Sequence, residues 1–140
     1  MLAILAVPPI LAGTYAGIEQ VEGRPVPVGE LDITHSSVRE VIDAGVGYIP
    51  EDRSKDGLVG DFTIAENVMI NRSYGPPFAK GLQVDFASRD RIADQLIKDY
   101  DVRTPSIDVT ASALSGGNQQ KLIVGREMKI AKLPFDISRD

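Results

Sequence analysis

Apolar residues gather in short β-favouring runs early in this chain and recur at helical spacing later, so it reads as strands first and helices afterwards. Met1 to Leu11 is apolar, and Ile10-Leu11-Ala12-Gly13 ends that opening with a glycine, which suits a helix C-terminal cap or a turn out of a buried segment. Gly17 to Val28, GIEQVEGRPVPV, predicts two short strands around a turn, at a sheet edge because proline cannot donate to a ladder. Asp32-Ile33-Thr34 is a turn. Ser36-Ser37-Val38-Arg39-Glu40 then starts a capped helix with Val38, Val41 and Ile42 inward, closed by Gly45. Val46-Gly47-Tyr48-Ile49 predicts a buried strand that stops at Pro50 and empties into a charged loop.

Asp56 to Gly60 predicts a turn, and Thr63-Ile64-Ala65-Glu66 a capping box that opens a helix through Asn71, with Ile64, Val68 and Met69 on its apolar face. Ser73 to Gly81 holds two prolines and two glycines and predicts a loop. From Ala87 to Tyr100, the residues Ile92, Ala93, Leu96, Ile97 and Tyr100 fall at helical spacing, which predicts an amphipathic helix packed on the core. Arg103-Thr104-Pro105-Ser106 is extended or turning, since the residue before proline is pushed out of helix. In the last helix, within Leu122 to Leu133, Val124, Met128 and Ala131 share one face with Ile123 and Ile130 alongside, which predicts a well-buried helix, and Pro134 ends it.

Composition narrows the function classes. With 43% hydrophobic and 25% charged residues the chain is of ordinary globular type. A net charge of −5 and a pI near 4.9 argue against a nucleic-acid partner, which takes clustered lysine and arginine. There is no cysteine, so disulfides and thiolate metal sites are excluded, and the single histidine, His35, lies in a polar turn. The apolar N-terminus lacks a positive leader, is interrupted by Pro8-Pro9, and is far short of the ~20 apolar residues of a membrane-spanning helix.

Ser115-Gly116-Gly117 precedes the last helix. Taken alone the three residues are a capped turn, or a loop that delivers backbone donors to an anion at a helix N-terminus. The full stretch Leu114 to Lys121, LSGGNQQK, resembles the signature motif of ATP-binding cassette (ABC) ATPases, in the variant found in importers of simple sugars and nucleosides. GVGYIPEDR at 45–53, DGLVGDFTIAENV at 56–68, Pro76-Pro77-Phe78 and DVRTPS at 101–106 extend the likeness into one block from about Leu11 to Met128, similar to the second cassette of fused ATPase subunits. Pro-Pro-Phe and DVRTPS look more like the nucleoside-type members than the ribose-type ones.

The resemblance implies an α/β fold of the P-loop NTPase, ABC ATPase-like kind: a partial sheet followed by a mainly helical subdomain. Residues 1–50 would be part of the ATPase core, 51–134 the Q-loop, helical subdomain and signature helix, and 135–140 a tail. It implies that Ser115, Gly116, Gly117 and Gln119 reach in trans to the terminal phosphate of ATP held by a second ABC cassette in a head-to-tail dimer. Glu51 stands where most members carry the Q-loop glutamine. With Asp52, Arg53, Asp56, Gly57 and Leu58 it would line the groove that receives a transmembrane permease subunit. ATP and Mg2+ are implied for the full dimer, and Glu51 could still ligate a hard cation; no metal ligand set and no catalytic residue are assigned to this chain.

No GxxxxGK[ST] occurs in the chain; Ala6-Val7-Pro8-Pro9 stands near where the family's phosphate loop would fall. After Pro134 the family expects a strand ending in magnesium-binding acids, and Asp136 and Asp140 follow no apolar run that would qualify them. The switch histidine of the family is absent as well. The expectation is a truncated piece of an importer ATPase, inactive alone, cytoplasmic and peripheral to the inner face of the membrane. Open sheet edges would favour self-association. Two alternatives are a non-catalytic module that docks to a permease or an intact cassette, and a soluble ABC ATPase outside transport, against which the acidic charge counts.

Overall fold

The computed structural model describes residues 3–6, 10–14, 27–28 and 31–131. They group into two compact units, Met1–Glu51 with Glu127–Asp140, and Asp52–Arg126. The expected strands of Gly17 to Val28 lie outside the described residues, apart from Pro27 and Val28, as does the tail 135–140.

The first unit is built on a three-stranded antiparallel sheet in the order β2-β1-β5. Strand β1 (Ala3–Ala6) pairs with β2 (Ile10–Thr14), Leu5 opposite Leu11, and with β5 (Gly47–Ile49), Leu5 opposite Gly47. Gly13 therefore lies inside a strand and not at a helix cap or turn. Two-residue strands β3 (Pro27–Val28) and β4 (Leu31–Asp32) make a separate antiparallel pair. Helix α1 (Val38–Asp43) starts at Ser37 through a reciprocal capping box, in which Ser37 Oγ accepts from the Glu40 N–H and Glu40 accepts from the Ser37 N–H at 2.7 Å. Val41 and Ile42 are half-buried, but Val38 is 78% exposed and not inward as its spacing predicts. It occupies the first helical position, where a side chain leans back past the helix start. Among the described residues β5 pairs with β1 alone, and it is only partly buried: Gly47 is buried but Tyr48 is 40% exposed, and the Tyr48 N–H donates to the buried Glu127 at 3.1 Å.

In the second unit, Asp52 caps a single π-helical turn, Arg53–Gly57, accepting from the Ser54 and Lys55 N–H groups at 3.1 Å. The sequence predicts a charged loop up to Arg53 and a turn from Asp56 to Gly60 here, not a helical turn. Helix α2 (Ile64–Met69) continues as a 3-10 turn through Arg72, as the capping box Thr63/Glu66 predicts. Where a loop is expected, the cis bond Pro76-Pro77 leads into a hairpin of β6 (Ala79–Lys80) and β7 (Gln83–Val84). Its two-residue connection has Gly81 at φ 64, backbone that glycine adopts without steric cost. Helix α3 (Phe86–Asp99), capped by Asp85, buries Ile92, Ala93 and Leu96.

Helix α4 (Gly116–Ala131) begins at the signature stretch. The helix is well buried: Leu122, Ile123, Gly125, Arg126 and Glu127 form its buried row, and Val124 and Met128 are half-buried. Gly125 decides the row. A Cβ there would stand 2.9 Å from the Tyr100 ring and 3.0 Å from Leu96, so its absence lets α3 lie close. Arg126 reinforces the choice by donating to the Asn67 carbonyl of α2 at 3.4 Å. Ile64, Val68, Phe78, Leu96, Leu122 and Ile123 are the fully buried apolar centre of this unit.

Candidate functional site

The signature stretch is held from three sides, each by backbone or amide bonds traceable to particular residues. The segment before it runs antiparallel to residues 60–65: the Ile64 and Ala65 N–H groups donate to Val109 and Ile107 carbonyls, and Ala111 and Ser112 N–H groups to Phe62 and Gly60. These bonds satisfy the first two orphan donors of α2, and Thr63 Oγ1 accepts from the third at 3.2 Å. Ala111–Ala113 makes one 3-10 turn, Leu114 is buried as an anchor, and the chain turns out to solvent at Ser115.

Ser115 Oγ accepts from the Asn118 backbone N–H at 3.4 Å and from Asn118 Nδ2 at 3.1 Å. Asn118 faces Arg103 as well: its Oδ1 accepts from the Arg103 N–H at 3.0 Å and its Nδ2 donates to the Arg103 carbonyl at 3.2 Å. One turn on, Lys121 Nζ donates to the Asp101 carbonyl at 2.7 Å and pairs with its carboxylate at 2.8 Å. That bond, with the Lys121 charge, holds the Asp101 carboxyl below its ordinary value. Gln119 Nε2 donates to the Ala111 carbonyl at 3.0 Å. The polar half of LSGGNQQK thus ties the loop in place, and Ser115, Gly116 and Gly117 are what it presents.

A Cβ built on Gly117 would meet nothing within 4 Å. Gly116 differs. The Arg53 guanidinium lies against it, and a Cβ there would collide with that group, 3.2 Å from Cζ. Arg53 therefore places a positive charge beside the positive end of a helix of 16 residues, an arrangement that favours an anion between them. A cleft of about 210 Å³ beside it is lined by Ser54, Leu58, Gly60, Ala111, Ser112 and Gln119.

Among the sequence-predicted residues, Ser115, Gly116, Gly117 and Arg53 come together on one surface, with Gln119 beneath them. Asp52 is committed to capping the π turn, Asp56 is exposed, and Gly57 and Leu58 are buried, Leu58 facing the cleft. Glu51 is exposed and belongs to the other unit. Sequence reasoning missed Asn118 and Asn67. The latter is fully buried in α2 and bonds Val59, Phe62 and Thr63 backbone through its amide. Its signal was a lone amide on an otherwise apolar helical face. Among the described residues there is no group of three or more His, Cys, Asp or Glu placed to hold a metal ion, and no helix long and apolar enough to cross a membrane.

No protein-family model matches the chain. Curated proteins do. The chain is 38% identical over 118 residues, 84% of its length, to the nucleoside import ATP-binding protein NupA of Lactococcus lactis and, over the same span, to the guanosine import ATP-binding protein NupO of Bacillus subtilis. It is 37% identical over 120 residues to the glucose import ATP-binding protein TsgD13 of Haloferax volcanii. These relatives place the chain among the homologues of ABC transporter ATPases. More narrowly, it is homologous to part of the ATP-binding subunits of sugar and nucleoside importers, and it spans 22–23% of the length of these three.

Proposed function

We propose that this chain is part of the ATP-hydrolysing, energy-coupling subunit of an ABC transporter that imports simple sugars or nucleosides, with a P-loop NTPase core and a mainly helical subdomain. Its role is to supply the signature contact in trans: Ser115, Gly116 and Gly117 meet the terminal phosphate of ATP held by a second cassette. The observation that carries the reading is the state of the Ser115 hydroxyl. Both bonds it accepts come from Asn118, so what it has left to give a ligand is its proton. A phosphate oxygen is an acceptor only. The open space at Gly117 and the Arg53 charge beside Gly116 favour the same anion.

The phosphate of ATP fits these residues. Among the described residues no group of three or more His, Cys, Asp or Glu is placed to hold Mg2+. The exposed turn from Asp52 to Asp56 and the cleft at Ser54 and Leu58 are the surface we assign to a membrane permease subunit, with the protein at the cytoplasmic membrane face. ATP-dependent association tests the central claim. The chain mixed with an intact, ATP-loaded cassette of an importer relative should sediment as a complex only when ATP is present, and Ser115→Arg should abolish the complex. Association that ignores ATP, or survives Ser115→Arg, would leave the chain a docking module.

A further inference from the structure

The side-chain amide of Asn118 occupies a position from which it sets the polarity of the Ser115 hydroxyl. Its orientation follows from its partners: the Arg103 N–H can only donate and the Arg103 carbonyl can only accept, so Oδ1 must face the former and Nδ2 the latter. The same Nδ2 reaches Ser115 Oγ at 3.1 Å. A hydroxyl has two acceptor lone pairs and one proton. Asn118 fills the acceptor side twice, through Nδ2 and through its backbone N–H at 3.4 Å. The backbone stretch that fixes Asn118 is itself fixed, because Lys121 holds Asp101 two residues earlier.

We propose that Asn118 is a positioning residue of the signature site, which holds Ser115 as a hydrogen-bond donor toward phosphate by the amide bridge from the Arg103 backbone to Ser115 Oγ. The inference rests on the reading of Ser115 as a trans phosphate contact. Asparagine is suited to this because one planar group carries both an acceptor and a donor face. Asn118→Asp keeps the acceptor for the Arg103 N–H. An ionised carboxylate has no proton to offer, however, and accepts the serine's proton instead, turning the hydroxyl away from the ligand. Asn118→Ala removes the three side-chain ties, keeps only the backbone N–H bond to Ser115 Oγ, and leaves the hydroxyl free to rotate.

A role in packing alone and a role in polarity therefore rank the two variants oppositely. If Asn118 only braces the loop, Ala is the worse change in both stability and binding. If it sets polarity, Ala is the less stable protein and Asp the weaker binder, by at least about tenfold in ATP-dependent association with the intact ATP-loaded cassette. A double-mutant cycle separates this from simple repulsion between Asp and phosphate. In a Ser115→Ala background the cost of Asn118→Asp should shrink to under about threefold. A loss that persists in full there, or an Asp variant that binds as well as Ala, overturns the proposal.

One measurement needs no ligand. In NMR spectra of the chain, the Asn118 side-chain amide proton directed at Ser115 should shift and exchange faster in Ser115→Ala, while the proton directed at Arg103 keeps its shift. If neither responds, the bridge is absent and the inference fails. If the bridge responds but the unaltered chain does not associate with the loaded cassette, the trans-contact reading fails and the polarity assignment with it loses its purpose.

Discussion

Gly117 has a hydrogen where other residues carry a side chain, and among the described residues nothing lies within 4 Å of a Cβ built there to require it to be so small. A glycine in the first turn of a helix costs backbone entropy, so Gly117→Ala is expected to stabilise the chain by about 0.5 kcal/mol in urea unfolding. On the proposed trans contact, the same methyl would stand where a phosphate approaches the backbone. ATP-dependent association should therefore fall as stability rises, and a Gly117→Ala chain that gains stability and binds unchanged would remove Gly117 from the site. Gly116 behaves differently, because its added methyl meets the end of a flexible arginine that can swing aside. The glycine pair was legible in the sequence as a pair; which member faces an arginine and which faces open space was not, because Arg53 lies 63 residues away in sequence.

Helices were legible where their ends carry local chemistry. Ser37/Glu40, Thr63/Glu66 and the apolar spacing from Ile92 to Ile97 each specify an element from a few neighbouring residues, and α1, α2 and α3 formed accordingly. The π turn at Arg53–Gly57 and the hairpin of β6 and β7 gave no such period, being too short for one. That α4 is well buried was legible, but its most deeply buried row was not, for a different reason. Val124, Met128 and Ala131 form the more regular apolar row, yet the helix buries Gly125 and Arg126, whose partners Tyr100, Leu96 and Asn67 lie on other elements. Gly125→Ala tests that account. Overpacking against a ring held 2.9 Å away costs about 1–3 kcal/mol, more than the gain of about 1 kcal/mol in helix propensity. Net destabilisation in urea is expected, and it should shrink in a Tyr100→Leu background, where the ring is gone. An equal loss in both backgrounds would place the strain elsewhere.

Across the molecule, acidic residues outnumber basic ones, 20 to 15, and several acids serve as structural acceptors. Bonds from Ser37 hold the Glu40 carboxyl below its ordinary value, bonds from Thr63 do so for Glu66, and the Ser88 N–H followed by Lys80 for Asp85. A carboxyl whose folded value lies below its unfolded one contributes stability above the unfolded value and loses it as pH falls through the folded one. Relief of the net negative charge acts in the opposite direction as the pH approaches the pI near 4.9. Stability is thus expected to hold from neutral pH down to the ordinary carboxylate range, about pH 4, and to decline steeply below it. Glu66→Gln isolates one contributor, since glutamine can still accept from the Thr63 N–H in a capping box but has no proton to gain. Urea midpoints measured at about pH 7 and about pH 3 should differ less in Glu66→Gln than in the unaltered chain. Equal differences in the two would mean that the acid transition is driven by charge repulsion and not by the caps that start its helices.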